Sequence, residues 1–183
     1  MGTYSHAANG LKKVFMAQII SIIAAVLAVI PSLGIIGMIG AIFCLILTVI
    51  GLNEASMDHS GFRTALILSV VNIIISLFTS GNGWLSAIMS VVSSILSLSS
   101  LYYVCHTASY LLRNLGEETI ASNGETVWNI NLLCTFAAII CNILAIIPLI
   151  NILAGLASVI IVIASLVAGI MYMIFLNNCS KAL

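Results

Sequence analysis

The sequence predicts an all-α, polytopic membrane protein with six transmembrane helices arranged as three tandem helical hairpins, and three observations support this prediction. First, the chain of 183 residues is 62% hydrophobic and only 5% charged, with a mean hydropathy of +1.29, whereas a soluble domain is about 45–50% apolar and about 25% charged. Second, the apolar residues gather into runs long enough to cross a bilayer. Third, the charged residues lie only between particular ends of these runs. We therefore expect the lipid bilayer to surround the folded chain.

Six apolar runs follow one another along the chain. A membrane-spanning helix needs about 20 mostly apolar residues. The runs cover about 11–30, 35–52, 62–79, 84–104, 127–147 and 149–176. Each therefore predicts one helix that crosses the membrane.

Short uncharged turns join the runs in pairs. They contain proline or glycine, which end helices and reverse the chain, and lie at 31–34, at 80–83 and around Pro148. The chain is thus predicted to be a single integral membrane domain, 1–183. Its hairpins cover about 11–56, 62–112 and 127–180, with a short cytoplasmic loop at 113–126.

The charged residues predict the orientation of the chain in the membrane. In a six-span arrangement all ten fall on one side: Lys12, Lys13, Glu54, Asp58, Arg63, Arg113, Glu117, Glu118, Glu125 and Lys181. Lysine and arginine mark the cytoplasmic side of membrane proteins. Both termini are therefore expected to be cytoplasmic.

The three hairpins are similar at the ends of their second helices. These end in NEAS at 53–56, HTAS at 106–109 and NNCS at 177–180. Repeats with an even number of crossings all point the same way and are related by an axis along the membrane normal. We therefore predict a pseudo-threefold ring of hairpins, whose second helices direct small residues such as Gly40 towards the centre.

A serine-rich stretch, SAIMSVVSSILSLSS, occupies 86–100 in the fourth run. Steps of four, three, four and three residues place its serines on one helix face, which Ser94 widens. The residues concerned are Ser86, Ser90, Ser93, Ser94, Ser97 and Ser100. Small hydroxyl residues favour close helix packing in lipid, so this face is a packing seam, a polar wall along a path for a neutral solute, or an oligomer interface.

Two asparagines lie in the first helices of the second and third hairpins, Asn72 and Asn142. A buried amide in a membrane usually bonds to a neighbouring helix. The alternative interpretation is that these amides contact a solute.

Several classes of function are disfavoured by the composition. No acidic or basic residue lies in the membrane core of the runs, and ion-coupled pumps and proton relays usually need such groups. The net charge is zero, which leaves no basic surface for nucleic acid. The five cysteines follow no zinc-binding spacing, so we expect neither a metal nor another cofactor.

The cytoplasmic side carries the residues that could support catalysis. The loop 53–63 contains Glu54, Asp58 and His59, and His106 follows the fourth run. Metal binding by the loop is conceivable, but a solvated helix end explains it more simply. No established catalytic motif accompanies these residues, so no catalytic residue is assigned.

Three residues share one position of the predicted repeat: Asn53, His106 and Asn177. They are candidates for a polar ring at the cytoplasmic mouth of a central path. Helix capping and interfacial hydrogen bonding form the simpler interpretation.

The pattern IPSLGIIGMIG…IGLNEAS, followed by a polar turn and FRTALI, resembles small six-span bacterial membrane proteins built from tandem hairpins. This resemblance implies a multi-pass protein of the bacterial cytoplasmic membrane and no particular activity. We expect a non-enzymatic subunit or scaffold that acts through helix packing, with a second copy or another membrane protein as partner. The alternatives are a channel or carrier for a neutral or lipophilic solute along the serines, and an intramembrane enzyme.

Overall fold

The computed structural model describes residues 4–30, 34–77, 84–144 and 151–183, which form six α-helices. The helices are α1 (Ser5–Val29), α2 (Gly34–Ala55), α3 (Ser60–Leu77), α4 (Trp84–Asn114), α5 (Glu118–Leu144) and α6 (Asn151–Ala182). Each of the six predicted apolar runs thus contributes one helix. The predicted turns at 31–34, 80–83 and Pro148 lie wholly or mostly outside the described residues.

Five of the helices, all except α3, are long and apolar enough to cross a membrane, and α3 is apolar but shorter over Ser60–Ser76. Large apolar side chains cover the outer surface of the helices; Leu133, for example, is 71% exposed. Such extensive exposed apolar surface is typical of contact with lipid. The structure is therefore that of an all-helical membrane protein.

The helices form a closed ring in chain order. Each helix packs against the helices before and after it, and α6 packs against α1. In the described residues, α2 contacts neither α4 nor α6, whereas α4 touches α6. The ring therefore encloses an interior to which first and second helices of the hairpins both contribute.

Gly40 of α2 packs against α1 instead of facing this interior as predicted. A Cβ built on Gly40 would lie 3.0 Å from the Cβ of Ala24, so Gly40 lets α2 approach α1 within the first hairpin. The prediction that second helices direct their small residues to the centre is wrong at this position. Close approach of two helices in lipid uses small residues at the seam, and here the seam lies inside the hairpin.

The densest packing lies at the end of the ring where the charged residues are found. We call this cluster the charged-end core. Its buried members come from all six helices and include Leu11, Leu52, Phe62, Cys105, Val127 and Phe175. The six helices are thus fastened together at one end of the ring.

The predicted loop at 113–126 is wrong for most of its length, because α4 continues to Asn114 and α5 begins at Glu118. The Gly116 N–H donates to the Arg113 carbonyl at 3.0 Å, and the Glu117 N–H donates to the Leu112 carbonyl at 2.9 Å. Gly116 has a φ of +84°. These bonds satisfy the last carbonyls of α4 with a glycine in the left-handed conformation, so the chain reverses within a short turn.

Asn123 and Gly124, which belong to the predicted loop, lie inside α5. A Cβ on Gly124 would lie 2.7 Å from Cζ of Phe175, and it would also meet Ser109. This glycine therefore serves helix packing instead of ending the helix. Beyond the sixth predicted run, which ends at about 176, α6 continues to Ala182.

Replacing Gly116 with alanine is expected to lower the free energy of unfolding by about 1–2 kcal/mol, because a Cβ is disfavoured in the left-handed region. Asparagine tolerates this conformation better, so Gly116→Asn is the matched control and is expected to lose less. Unfolding with sodium dodecyl sulfate in mixed micelles, followed by circular dichroism, measures both. Equal losses for the two variants would contradict the argument.

Candidate functional site

Two adjoining, partly open cavities lie between the helices of the ring, and we call them the first and second chambers and together the lumen. The first chamber, of about 280 Å³, is lined by α1 to α4 and by Tyr172 of α6. The second, of about 460 Å³, is lined by α3 to α6. Both are far larger than the roughly 30 Å³ that one water molecule occupies in the liquid. The lumen can therefore hold a small organic molecule or several waters.

Uncharged polar side chains from every helix line the lumen. One from each helix, in chain order, is Gln18, Thr48, Asn72, Ser97, Thr135 and Ser165. The described lining residues include no acidic or basic side chain. The lumen is therefore a neutral hydrogen-bonding space within an apolar shell.

The serine face of α4 divides between packing and cavity wall. Ser100 is buried, donates to the Ala65 carbonyl at 3.1 Å and bonds the Ser69 hydroxyl at 2.8 Å. Ser93 donates to Oδ1 of Asn72 at 2.6 Å. These bonds join α4 to α3, so this part of the face is a packing seam.

Serines of this face also line the chambers, including the two that bond to α3. Ser90, Ser93 and Ser94 line the second chamber, Ser100 lines the first, and Ser97 lines both. The Ser94 hydroxyl donates to the Ser90 carbonyl four residues earlier at 2.9 Å, which satisfies it within the helix. From Ser90 to Ser100 the lumen follows α4 for about 15 Å, at 1.5 Å of rise per residue. The side chains of Ser86 and Asn142 lie outside the described residues.

The first chamber ends at the charged-end core. Val14, Leu52, Val104 and Tyr172 line the chamber and are also buried members of that core. Within the described residues, these four side chains place apolar packing between the first chamber and the charged end. We therefore interpret the lumen as closed at the charged end.

Glycines on the first helices hold this closed end together. A Cβ on Gly10 would lie 2.7 Å from the Ala55 nitrogen and would also meet the Gly51 carbonyl, while one on Gly61 would lie 3.1 Å from Cβ of Thr107. With Gly124 against Phe175, each hairpin has one such contact. The sequence analysis missed these residues. The signal was present, because the glycines begin the similar segments GLKK, GFRT and GETV.

The three candidates for a cytoplasmic mouth are not brought together. Asn53 and His106 are exposed and Asn177 is half-buried. The His106 ring stacks on Tyr102 with 5.3 Å between centroids, and no hydrogen bond or ring contact joins the three candidates within the described ranges. The interior at this level is filled by neighbours such as Ala55 and Ala108.

The polar residues of the loop 53–63 fasten helix ends. Glu54 pairs with Lys13 of α1. Asp58 Oδ2 accepts the Ala7 N–H at 2.6 Å, which caps the first turn of α1 as an acidic side chain favourably does. His59 Nδ1 accepts the Gly61 N–H at 3.1 Å. The described residues contain no group of three side chains placed to hold a metal.

Sequence reasoning also missed polar lining residues in the other helices: Ser21, Ser69 and Asn131. A usable signal existed for Asn131, because it lies four residues before Thr135 and so shares a helix face with it.

No family model matches the chain, and no curated protein or solved structure matches it either. The resemblance to six-span bacterial membrane proteins therefore stays a prediction made from pattern alone.

Proposed function

We propose that this chain is a six-span protein of the bacterial cytoplasmic membrane, with both termini in the cytoplasm, that takes a neutral solute into its lumen as a channel or carrier. The observation that carries the proposal is the lumen, to which all six helices contribute uncharged polar groups. Polar residues are costly within a membrane and tend to be functional there, and here they face one shared interior.

The six crossings are supported by helix length. α3 has 18 described residues, which at 1.5 Å per residue span about 27 Å, close to the ~30 Å of a bilayer hydrocarbon core. The clustering of Lys13, Arg63 and Arg113 at one end of the ring supports a cytoplasmic location for that end.

The internal repeat is supported by matching burial. The third residues of the three tetrapeptides, Ala55, Ala108 and Cys179, are all fully buried in the charged-end core. The residues three positions earlier, Leu52, Cys105 and Leu176, are equally buried. We propose that the hairpins arose as copies of one unit, in which these positions form the seal.

The second candidate is a non-enzymatic subunit or scaffold that acts through helix packing on a second copy or another membrane protein. The observation that favours it is the charged-end core, which closes the lumen with apolar side chains. In this interpretation the polar groups serve contacts between helices, like the bond from Ser93 to Asn72.

Native cysteines test the two candidates. Cys44 lines the first chamber and Cys134 the second, whereas Cys105 and Cys179 lie in the charged-end core. A membrane-impermeant methanethiosulfonate reagent, added from the side opposite the charges, is expected to modify Cys134 and Cys44 but neither core cysteine, because the reactive thiolate forms only where water reaches the sulfur. Peptide mass spectrometry measures the modified fraction.

A matched pair on one helix sharpens this experiment. Ser97 lines both chambers, whereas Ser99 bonds the Ile95 carbonyl at 2.8 Å and lines neither. Ser97→Cys is expected to react at least about tenfold faster than Ser99→Cys. Lack of modification at Cys44, Cys134 and position 97 in the folded protein would exclude the solute path and favour the scaffold.

A further inference from the structure

Three residues are common to both chambers: Asn72 of α3, and Ser97 and Leu101 of α4. A solute that moves from the second chamber to the first therefore passes these side chains. Two of them carry polar groups, and Leu101 supplies an apolar surface. On α4 the junction covers Ser97 to Leu101, in the part of the serine face that lies nearer the buried Ser100 than the exposed Ser90.

The junction contains an amide that is fixed in orientation and has donors without a protein partner. The Asn72 Oδ1 accepts the Ser93 hydroxyl at 2.6 Å, which fixes the orientation of the amide. The Nδ2 donors of Asn72 have no partner among the described residues, and neither does the Ser97 hydroxyl. Because a side-chain amide carries two donors on its nitrogen, Asn72 offers donors that water or a solute can satisfy.

We propose, on the basis of the solute path above, that the lumen selects small uncharged molecules with hydrogen-bond acceptors, such as polyols and ureas, and that Asn72 determines this specificity. An ion would leave water without meeting an opposite charge, which is strongly unfavourable in a membrane interior. A purely apolar solute would leave the Asn72 donors unpaired, and a site built around a hydrogen bond rejects such analogues. A carbonyl or hydroxyl oxygen satisfies these donors.

The probes are glycerol and urea. The full chain is reconstituted into proteoliposomes, and stopped-flow light scattering measures the uptake of each probe against protein-free liposomes. Asn72→Leu removes the amide at similar size and is expected to reduce uptake of both by about three- to tenfold, the range that corresponds to one hydrogen bond. Ser99→Ala, on the same helix as the junction serine but outside the lumen, is expected to keep the original rate.

A second variant keeps the proposal testable if Asn72→Leu does not fold. Asn72→Met carries neither a charge nor a donor, and its thioether sulfur is a weak acceptor that the Ser93 hydroxyl can still meet, so the same loss is expected. Circular dichroism and gel filtration establish that each variant is folded.

The outcomes separate the two levels of the proposal. If Cys134 and Cys44 are modified but Asn72 variants transport as well as the original chain, Asn72 does not determine specificity and this inference fails alone. If the cysteines are modified but neither glycerol nor urea enters faster than through bare lipid, the assigned solute class is wrong. If neither cysteine is modified, the solute path itself is excluded.

Discussion

Replacing Phe175 with alanine is expected to lower the free energy of unfolding by about 3–5 kcal/mol, the usual cost of removing a buried phenylalanine ring. Phe175 is 1% exposed and packs on the backbone of α5 at Gly124. Removing its ring opens a void in the charged-end core, where neighbouring helices are held close together and cannot collapse to fill it. Unfolding with sodium dodecyl sulfate in mixed micelles measures the loss.

The matched control is Phe136→Ala on α5. Phe136 is 56% exposed on the surface that we assign to lipid, and substitutions away from packed sites usually change stability by less than about 0.5 kcal/mol. If Phe136→Ala were as destabilising as Phe175→Ala, stability would not be concentrated in the charged-end core.

Replacing Gly10 with alanine is expected to lower the free energy of unfolding by about 1–3 kcal/mol, the typical cost of overpacking. The added Cβ would meet the backbone of α2 at Gly51 and Ala55. Backbone atoms cannot rotate away as a flexible side chain can, so α1 and α2 must separate. The same titration in mixed micelles measures the effect.

Gly169→Ala is the control, because nothing lies within 4 Å of a Cβ at Gly169. Alanine stabilises an unobstructed helix by roughly 0.5–1 kcal/mol relative to glycine. The two substitutions are therefore expected to change stability in opposite directions. If Gly10→Ala also raised the free energy of unfolding, α1 and α2 would lie further apart at Gly10 than they do in the structure.

Much of the architecture is predictable from the sequence because hydrophobicity in a membrane protein acts over whole segments. The six helices follow from six apolar runs, and the bounds of α2 at 34–55 lie close to those expected. The loop 113–126 was mispredicted because its residues are polar enough for water yet also compatible with a helix. The helical state is favoured over the loop by Gly124, because its lack of a side chain allows α5 to pack against Phe175.

The lumen was predictable only in part. The spacing of the serines fixes a helix face, but the face meets both a cavity and a neighbouring helix, and no spacing within α4 distinguishes Ser97 from Ser100. The distinction depends on where α3 lies, because Ser69 and Asn72 meet some serines and leave others free. Ser69 and Asn72 belong to α3, so the spacing of residues within α4 cannot indicate which serines they meet.

Closure of the ring by α6 against α1 has a consequence for biosynthesis. At ribosomal rates, the chain between these two helices takes on the order of ten seconds to emerge. For most of that interval one flank of α1 lacks its final neighbour while α2 is already in place. We therefore expect crowding of ribosomes on one membrane patch to raise the share of dimers in which two nascent copies have exchanged their last helices.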